Sequence, residues 1–280
     1  MIKHLLGIVA AIAFVVLCTL YPFLPGSYDG LAVAVSEMAH MFGILGLLLV
    51  PIGLLWIAAD RSERLVQKRH LFPLLALIAS TLVWAGLCIA AVMQSGFVLG
   101  FAIVALWVWM LHKAWTNLRR TRSTPLERPS ALPFYLVAVP VVVALLQWAF
   151  VERAVESSRN RAILNSAPLL AAIEEYRERN GTYPASILAE WPDYKPDVIG
   201  IREYRYEPHG EAYNLVFEQF NYRLGTREFV VYNPRDEHVM TAHARDILEL
   251  TPDQLALDRT RGHNARYDLP QPHWKIFWFD

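Results

Sequence analysis

Apolar residues fill the first half of the chain in five long runs, and short polar clusters separate them. The runs fall at 5–24, 38–59, 71–93, 97–115 and 132–151. Each approaches the roughly 20 helical residues needed to cross a hydrocarbon core. The third and fourth are divided only by Gln94, Ser95 and Gly96, which leaves room for nothing but a tight helical hairpin. Beyond 151 the pattern becomes amphipathic. Ile163, Ala167, Leu170, Ile173 and Tyr176 recur at helical spacing, with Leu169 beside them. Glu152, Arg153, Glu156, Arg159 and Arg161 wet the first turns after the fifth run. Asn180 and Gly181 stop this helix, because Gly adopts the left-handed conformation readily, and Pro184 enforces the break. Pro168, with Ser166 ahead of it as a cap, predicts a kink or a short interruption on the way.

The remainder alternates between turns and strand patterns. ASILAEW (185–191) predicts a short helix, and the segments 202–208 and 211–220 predict a hairpin around His209 and Gly210. A third strand follows at 226–234, with Asn233 and Pro234 as its turn, and the aromatic segment 273–280 predicts a closing strand. The expected fold is a membrane all-α region of five transmembrane helices followed by an α+β periplasmic domain, a long helix packed on a small antiparallel sheet. The expected division is a four-helix transmembrane domain over 1–130, then 131–280 as a fifth membrane helix leading into an extracytoplasmic domain.

Composition sharpens this picture. The 280 residues are 55% hydrophobic with a mean hydropathy of +0.27, which favours a membrane class. The formal charge of zero hides an asymmetry: residues 1–151 hold ten Lys and Arg against five Asp and Glu, and residues 152–280 hold sixteen against twenty-one. An acidic second half excludes nucleic acid as a partner, because such binding needs clustered positive charge. The basic residues of the first half lie in loops. Arg61, Arg64, Lys68 and Arg69 follow the second run, and Lys113, Arg119, Arg120, Arg122 and Arg128 follow the fourth. The loop after the first run has no Lys or Arg. Positive loops stay in the cytoplasm, so the amino terminus is expected inside and the C-terminal half outside, in the periplasm of a bacterial inner membrane. The first run has the positive start of a signal peptide but no small-residue cleavage site close behind, so an uncleaved anchor is expected. Cys18 and Cys88 both lie in apolar runs, and the C-terminal half has no cysteine, so it folds without disulfides.

A membrane helix continuing into an amphipathic helix, then AIEEY, NGTYP, a short helix and a Tyr-rich hairpin together resemble the headgroup of a type IV pilin or type II secretion pseudopilin. The resemblance covers about 132–220, with its densest match at 162–220. It implies an interaction or assembly role, with the lipid bilayer and an envelope, pilus or secretion-type protein as partners. Pilins open their membrane helix at a processed glycine, with a Phe next and a Glu soon after. Here ALPFYLVAVPVVV has neither that glycine nor that carboxylate, and four runs precede it. The expected role is therefore a membrane protein that presents a pilin-like domain, not a polymerised subunit. Tyr176, Gly181, Tyr183 and Pro184 form the candidate interaction corner.

Two other groups carry potential chemistry. Glu37 and His40, three apart at the expected outer end of the second run, share a helix face, with Tyr28 and Asp29 in the preceding loop. An ionisable pair near hydrocarbon suits proton transfer or metal contact and defines the alternative reading, a membrane-embedded enzyme, transporter or sensor. The commoner outcome for such a pair is snorkelling into the headgroup layer. His238, His243, His263 and His273 with Asp236 or Glu237 lack the close ligand pairs of zinc sites and read as scattered histidines. There is no nucleophile elbow and no phosphate-binding glycine loop, so no catalytic residue, metal or cofactor is expected.

Overall fold

The computed structural model describes residues 2–62, 71–95, 97–121, 130–187, 193–209, 211–221, 226–238 and 265–279. Among the described residues, six α-helices come first: α1 (Ile2–Leu20), α2 (Gly30–Leu45), α3 (Val50–Asp60), α4 (Leu71–Ser95), α5 (Phe97–Thr121) and α6 (Leu132–Asn180). Five strands follow: β1 (Arg205–His209), β2 (Ala212–Gln219), β3 (Arg227–Tyr232), β4 (Ala265–Asp268) and β5 (Trp274–Phe279). Contacts divide the chain into two units. One comprises Met1–Tyr21 with Gly30–Arg153, the other Pro22–Asp29 with Ala154–Asp280. The boundary thus falls inside α6, not at 130, and the short segment after α1 belongs with the C-terminal unit.

Among the described residues, four helical stretches are long and apolar enough to cross a membrane: Ile2–Phe23, Gly30–Asp60, Leu71–Ile89 and the first part of Leu132–Asn180. Large apolar side chains point outward, among them Leu6, Phe14 and Leu17 on α1 and Trp148 on α6. Such a coat is compatible with a membrane protein, where lipid replaces water as the solvent of the surface. The second stretch starts at Gly30, eight residues before the expected position. GLAVAVS is made of small and apolar residues with no helix breaker after Gly30, so the helix extends back through it. A single 3-10 turn at Gly46–Leu49 joins α2 to α3, with Pro51 seated in the first turn of α3, where a missing N–H costs nothing.

Small residues let these helices meet. A Cβ added at Gly53 would stand 2.9 Å from the Pro133 carbonyl oxygen and 2.7 Å from Val137 Cγ2, and one at Gly46 would stand 3.3 Å from Pro140 Cβ. Gly43, Gly46 and Gly53 therefore turn one face of the Gly30–Asp60 stretch onto α6. A buried cluster of Leu49, Val83 and Leu87 joins α4 to this group. The α4–α5 hairpin has the predicted form and is fastened by Trp84, which stacks on Trp107 at 5.2 Å and donates to the Ile103 carbonyl.

In the second unit, the sheet runs β1-β2-β3-β5-β4, antiparallel throughout. The predicted β1–β2 hairpin forms, pairing Arg205 with Val216 and His209 with Ala212, so His209 belongs to the strand and not to the turn. The last strand does not close the sheet. β5 lies between β3 and β4, and β4 (ARYD) is an edge strand that the sequence pattern did not reveal, being only four residues long. One face of the sheet packs on α6 through Ala162, Ile163, Leu169 and Ile173 against Tyr213, Leu215, Phe217, Val230, Trp274 and Ile276. Here the helical period of α6 meets the two-residue period of the strands.

Of the kink or interruption expected at Pro168, the interruption does not occur: α6 is continuous through both Pro140 and Pro168. Ser166 is not a cap, since its hydroxyl donates back to the Ile163 carbonyl at 2.7 Å. Pro168 costs the helix one backbone bond, and the fully buried Leu169 and Ile173 just beyond it hold the helix to the sheet. Ala185–Ile187 are not helical, and the rest of the predicted helix at 185–191 lies outside the described residues.

Candidate functional site

The corner at the end of α6 forms as predicted. Gly181 has a φ of +75° and donates to the Arg177 carbonyl at 2.8 Å, the left-handed close that glycine permits without steric cost. Asn180 Nδ2 donates to the Tyr176 carbonyl at 2.8 Å, and Pro184 is buried. Tyr183 turns back onto the helix. Its hydroxyl receives a bond from Arg177 at 2.8 Å and donates to Glu174 Oε1 at 3.2 Å, while the Arg177 guanidinium also lies 4.6 Å from its ring centre.

Tyr213 donates to the same Glu174 oxygen at 3.3 Å and meets Tyr183 edge-on at 4.9 Å. Tyr206 and Tyr232 continue the aromatic group at 5.3 and 6.0 Å from Tyr213. One carboxylate thus gathers hydroxyls from the corner and from the sheet. Burial, and then the charge of Glu174, push the Tyr183 and Tyr213 phenols above their ordinary range, so both stay protonated donors. Tyr183 and Pro184 are accordingly committed inward. Tyr176 is half-buried, and Glu175, Glu178, Arg179, Gly181 and Thr182 are what the corner offers outward.

Glu37 and His40 lie two turns inside α2, not at a helix end, because the helix begins at Gly30. Their surroundings are a polar thread through apolar helices. His40 is buried, and its Nδ1 meets the Ser36 carbonyl at 2.8 Å; a carbonyl only accepts, so Nδ1 carries the hydrogen. Ser36 donates to the Thr19 carbonyl at 2.7 Å. Gln147 on α6 donates to Thr19 Oγ1 at 3.1 Å and to the Ala39 carbonyl at 2.8 Å. Gln147 was missed in the sequence, although a lone amide within 132–151 is the signal that finds it. Glu37 is half-buried, and its Oε2 has no hydrogen-bond partner. Tyr28 and Asp29 belong to the other unit.

The histidines near the last turns serve the fold. Asn233 Oδ1 accepts from the backbone N–H groups of Arg235 and Glu237, and His238 donates to the His273 carbonyl at 2.9 Å. His273 Nδ1 pairs with Asp236 at 3.0 Å. His243 and His263 lie outside the described residues, and among the described residues no three metal-ligating side chains converge.

Comparison with protein-family models, with curated proteins and with solved structures returns no match. The class that the fold defines therefore rests on the structure alone: a helical unit with several spans' worth of apolar helix, and a small α+β head built around the second half of α6.

Proposed function

We propose that this chain is a five-pass protein of a bacterial inner membrane that presents a pilin-like periplasmic head as a docking element for another envelope component. The observation that carries this reading is α6, a single helix of 49 residues whose first part is apolar and whose second part supplies the core of a small antiparallel sheet domain. That is the arrangement the pilin resemblance implies. The bonding of Pro22–Asp29 into the head supports the count of crossings. Gly26, Asp29, Ile199 and Gly200 exchange backbone hydrogen bonds of 2.7 to 3.1 Å between this segment and Asp197–Gly200. A segment bonded into the head shares its side of the bilayer, so the chain crosses an even number of times between Gly30 and Arg153. Gly30–Asp60, α4 and α6 account for three, and α5 is the fourth. With α1 the total is five, which agrees with the basic loops after the second and fourth runs.

The corner is a better contact than the β1 edge of the sheet. On β1, Pro208 has no N–H to offer, and an edge proline blunts a strand against pairing. The docking face is then Glu175, Glu178, Arg179 and Thr182, exposed, with two carboxylates against one guanidinium. A second reading, catalysis or transport within the helices, is favoured by the partnerless Oε2 of Glu37 beside the Ser36–Thr19–Gln147 thread.

Photo-crosslinking in living cells from position 182 separates the two. The docking reading expects an envelope-assembly protein as the product, lost when Glu175 and Glu178 are changed to Lys. A phenotype abolished by Glu37→Gln or His40→Ala but untouched by the lysine pair overturns docking in favour of the helices. Topology is read separately, from labelling of a cysteine at Glu175 by an impermeant thiol reagent in a background lacking Cys18 and Cys88.

A further inference from the structure

The segment between α1 and α2 builds one wall of a cavity in the head. Gly26, Ser27 and Tyr28 face Lys195, Pro196, Asp197, Ile201 and Arg202 across about 210 Å³. This is room for several waters, the scale of a phosphodiester with a small polar substituent. Its lip is fixed by backbone. Gly26, with φ +148°, donates to the carbonyl of Asp197, itself left-handed at +50°, at 3.1 Å. Asp tolerates that conformation and Gly26 requires it, since a Cβ there would press on Ile199 Cγ1 at 3.0 Å.

The charges are arranged in two signs. Lys195 is exposed, and the Arg202 guanidinium lies 6.0 Å from the Tyr28 ring centre. Asp197 is the one carboxylate of the lining. Chain connectivity sets the depth. Gly26 follows Phe23, the last residue of the first apolar stretch, by three residues, and Tyr28 precedes Gly30, the first of the second, by two. At about 3.5 Å per residue these positions lie within about 10 Å of the ends of both stretches, the layer in which lipid headgroups reside. Tyr21, Leu24, Tyr28 and Leu31 are exposed along the same segment, the amphipathic set that settles at a membrane interface.

We infer that this cavity binds a phospholipid headgroup of the outer leaflet, with the phosphodiester on Lys195 and Arg202 and a terminal ammonium or hydroxyl donating to Asp197. Ethanolamine and glycerol headgroups supply that donor; choline has no N–H or O–H to give and is disfavoured. The inference rests on the reading of α1 and Gly30–Asp60 as membrane-crossing, and is independent of the docking role.

The test is native mass spectrometry of the full chain, released from vesicles holding equal amounts of phosphatidylethanolamine, phosphatidylglycerol and phosphatidylcholine. The wild type retains the first two over the third. Lys195→Ala with Arg202→Ala lowers retention about tenfold, as loss of charge-assisted bonds to one phosphate implies. Asp197→Ala keeps retention but abolishes discrimination against choline. Equal retention of all three lipids by the wild type, or unchanged retention by the double variant, overturns the site. Displacement of the lipid by millimolar inorganic phosphate gives the cavity to a free anion and overturns the lipid assignment. Flotation of each variant with the vesicles reads the membrane crossing itself, so failure of that premise is distinguished from failure of the site.

Discussion

The two halves of α6 face opposite packing problems. Its first half lies among apolar helices whose outward coat is compatible with a membrane, a setting in which hydrophobicity cannot distinguish a helical neighbour from lipid. There the contacts are close approaches at glycine and a few hydrogen bonds, from Gln147 to Thr19 and Ala39 and from Tyr135 to the His4 carbonyl. Its second half lies in a domain that excludes water, and large side chains do the work: Leu169 and Ile173 against Tyr213, Phe217 and Trp274. A charge pair there, Arg159 with Glu228 at 2.8 Å, is nearly buried, an arrangement that sets register more than it adds stability. One continuous helix thus uses two different chemistries, and the environment of each half decides which works.

Substitutions that attack one chemistry should leave the other half intact. The largest effect is expected for Phe217→Ala. Phe217 is fully buried between Tyr204 and Trp274, at centroid distances of 6.1 and 5.8 Å. Its loss should cost about 3–5 kcal/mol, measured as a lowered urea midpoint for protease protection of the head, with detergent-solubilised helices unchanged. Equal loss in both units would break the comparison.

A smaller effect, about 1–3 kcal/mol, is expected for Gly53→Leu, where the added side chain meets a backbone carbonyl that cannot yield. Resistance of the solubilised chain to SDS reads it. Gly181 offers the contrast, since a Cβ added there would meet nothing within 4 Å and its φ of +75° alone resists substitution. Gly181→Asn should therefore be milder than Gly181→Ala, whereas no residue larger than Gly is tolerated at 53.

The smallest effect is a pH dependence of the head. Burial holds the His238 imidazole below the ordinary histidine range, and the bond to the His273 carbonyl only partly offsets this. The neutral form is favoured in the fold, so its contribution is complete above about pH 6.5 and is lost as pH falls through the lowered value. The head should lose stability with at most one proton's slope between about pH 6.5 and that lowered value. His238→Phe should flatten the slope in denaturation followed from pH 7.5 to 5, and an unchanged slope would assign the proton elsewhere.

Much of this was legible in the residues. Apolar run lengths marked the helices, Asn180 and Gly181 marked the end of α6, and the hairpin around His209 marked the sheet. These signals are local, because a span needs length, a left-handed close needs glycine, and a strand needs alternation. What escaped was non-local. Nothing near Pro168 reveals that Leu169 and Ile173 will be held by a sheet more than thirty residues away. The four residues of β4 carry too little pattern to outweigh a loop, and only pairing with β5 makes them a strand.

The sequence by itself determined that this chain would have apolar helices, a helix stop at Gly181 and an antiparallel head, because each follows from composition and period over a few turns. Only the tertiary structure decided that Pro22–Asp29 belongs to the head, that Tyr183 and Tyr213 share Glu174, and that Lys195 and Arg202 line one cavity with Tyr28. Those facts join residues far apart in the chain, and only the folded backbone brings them within reach.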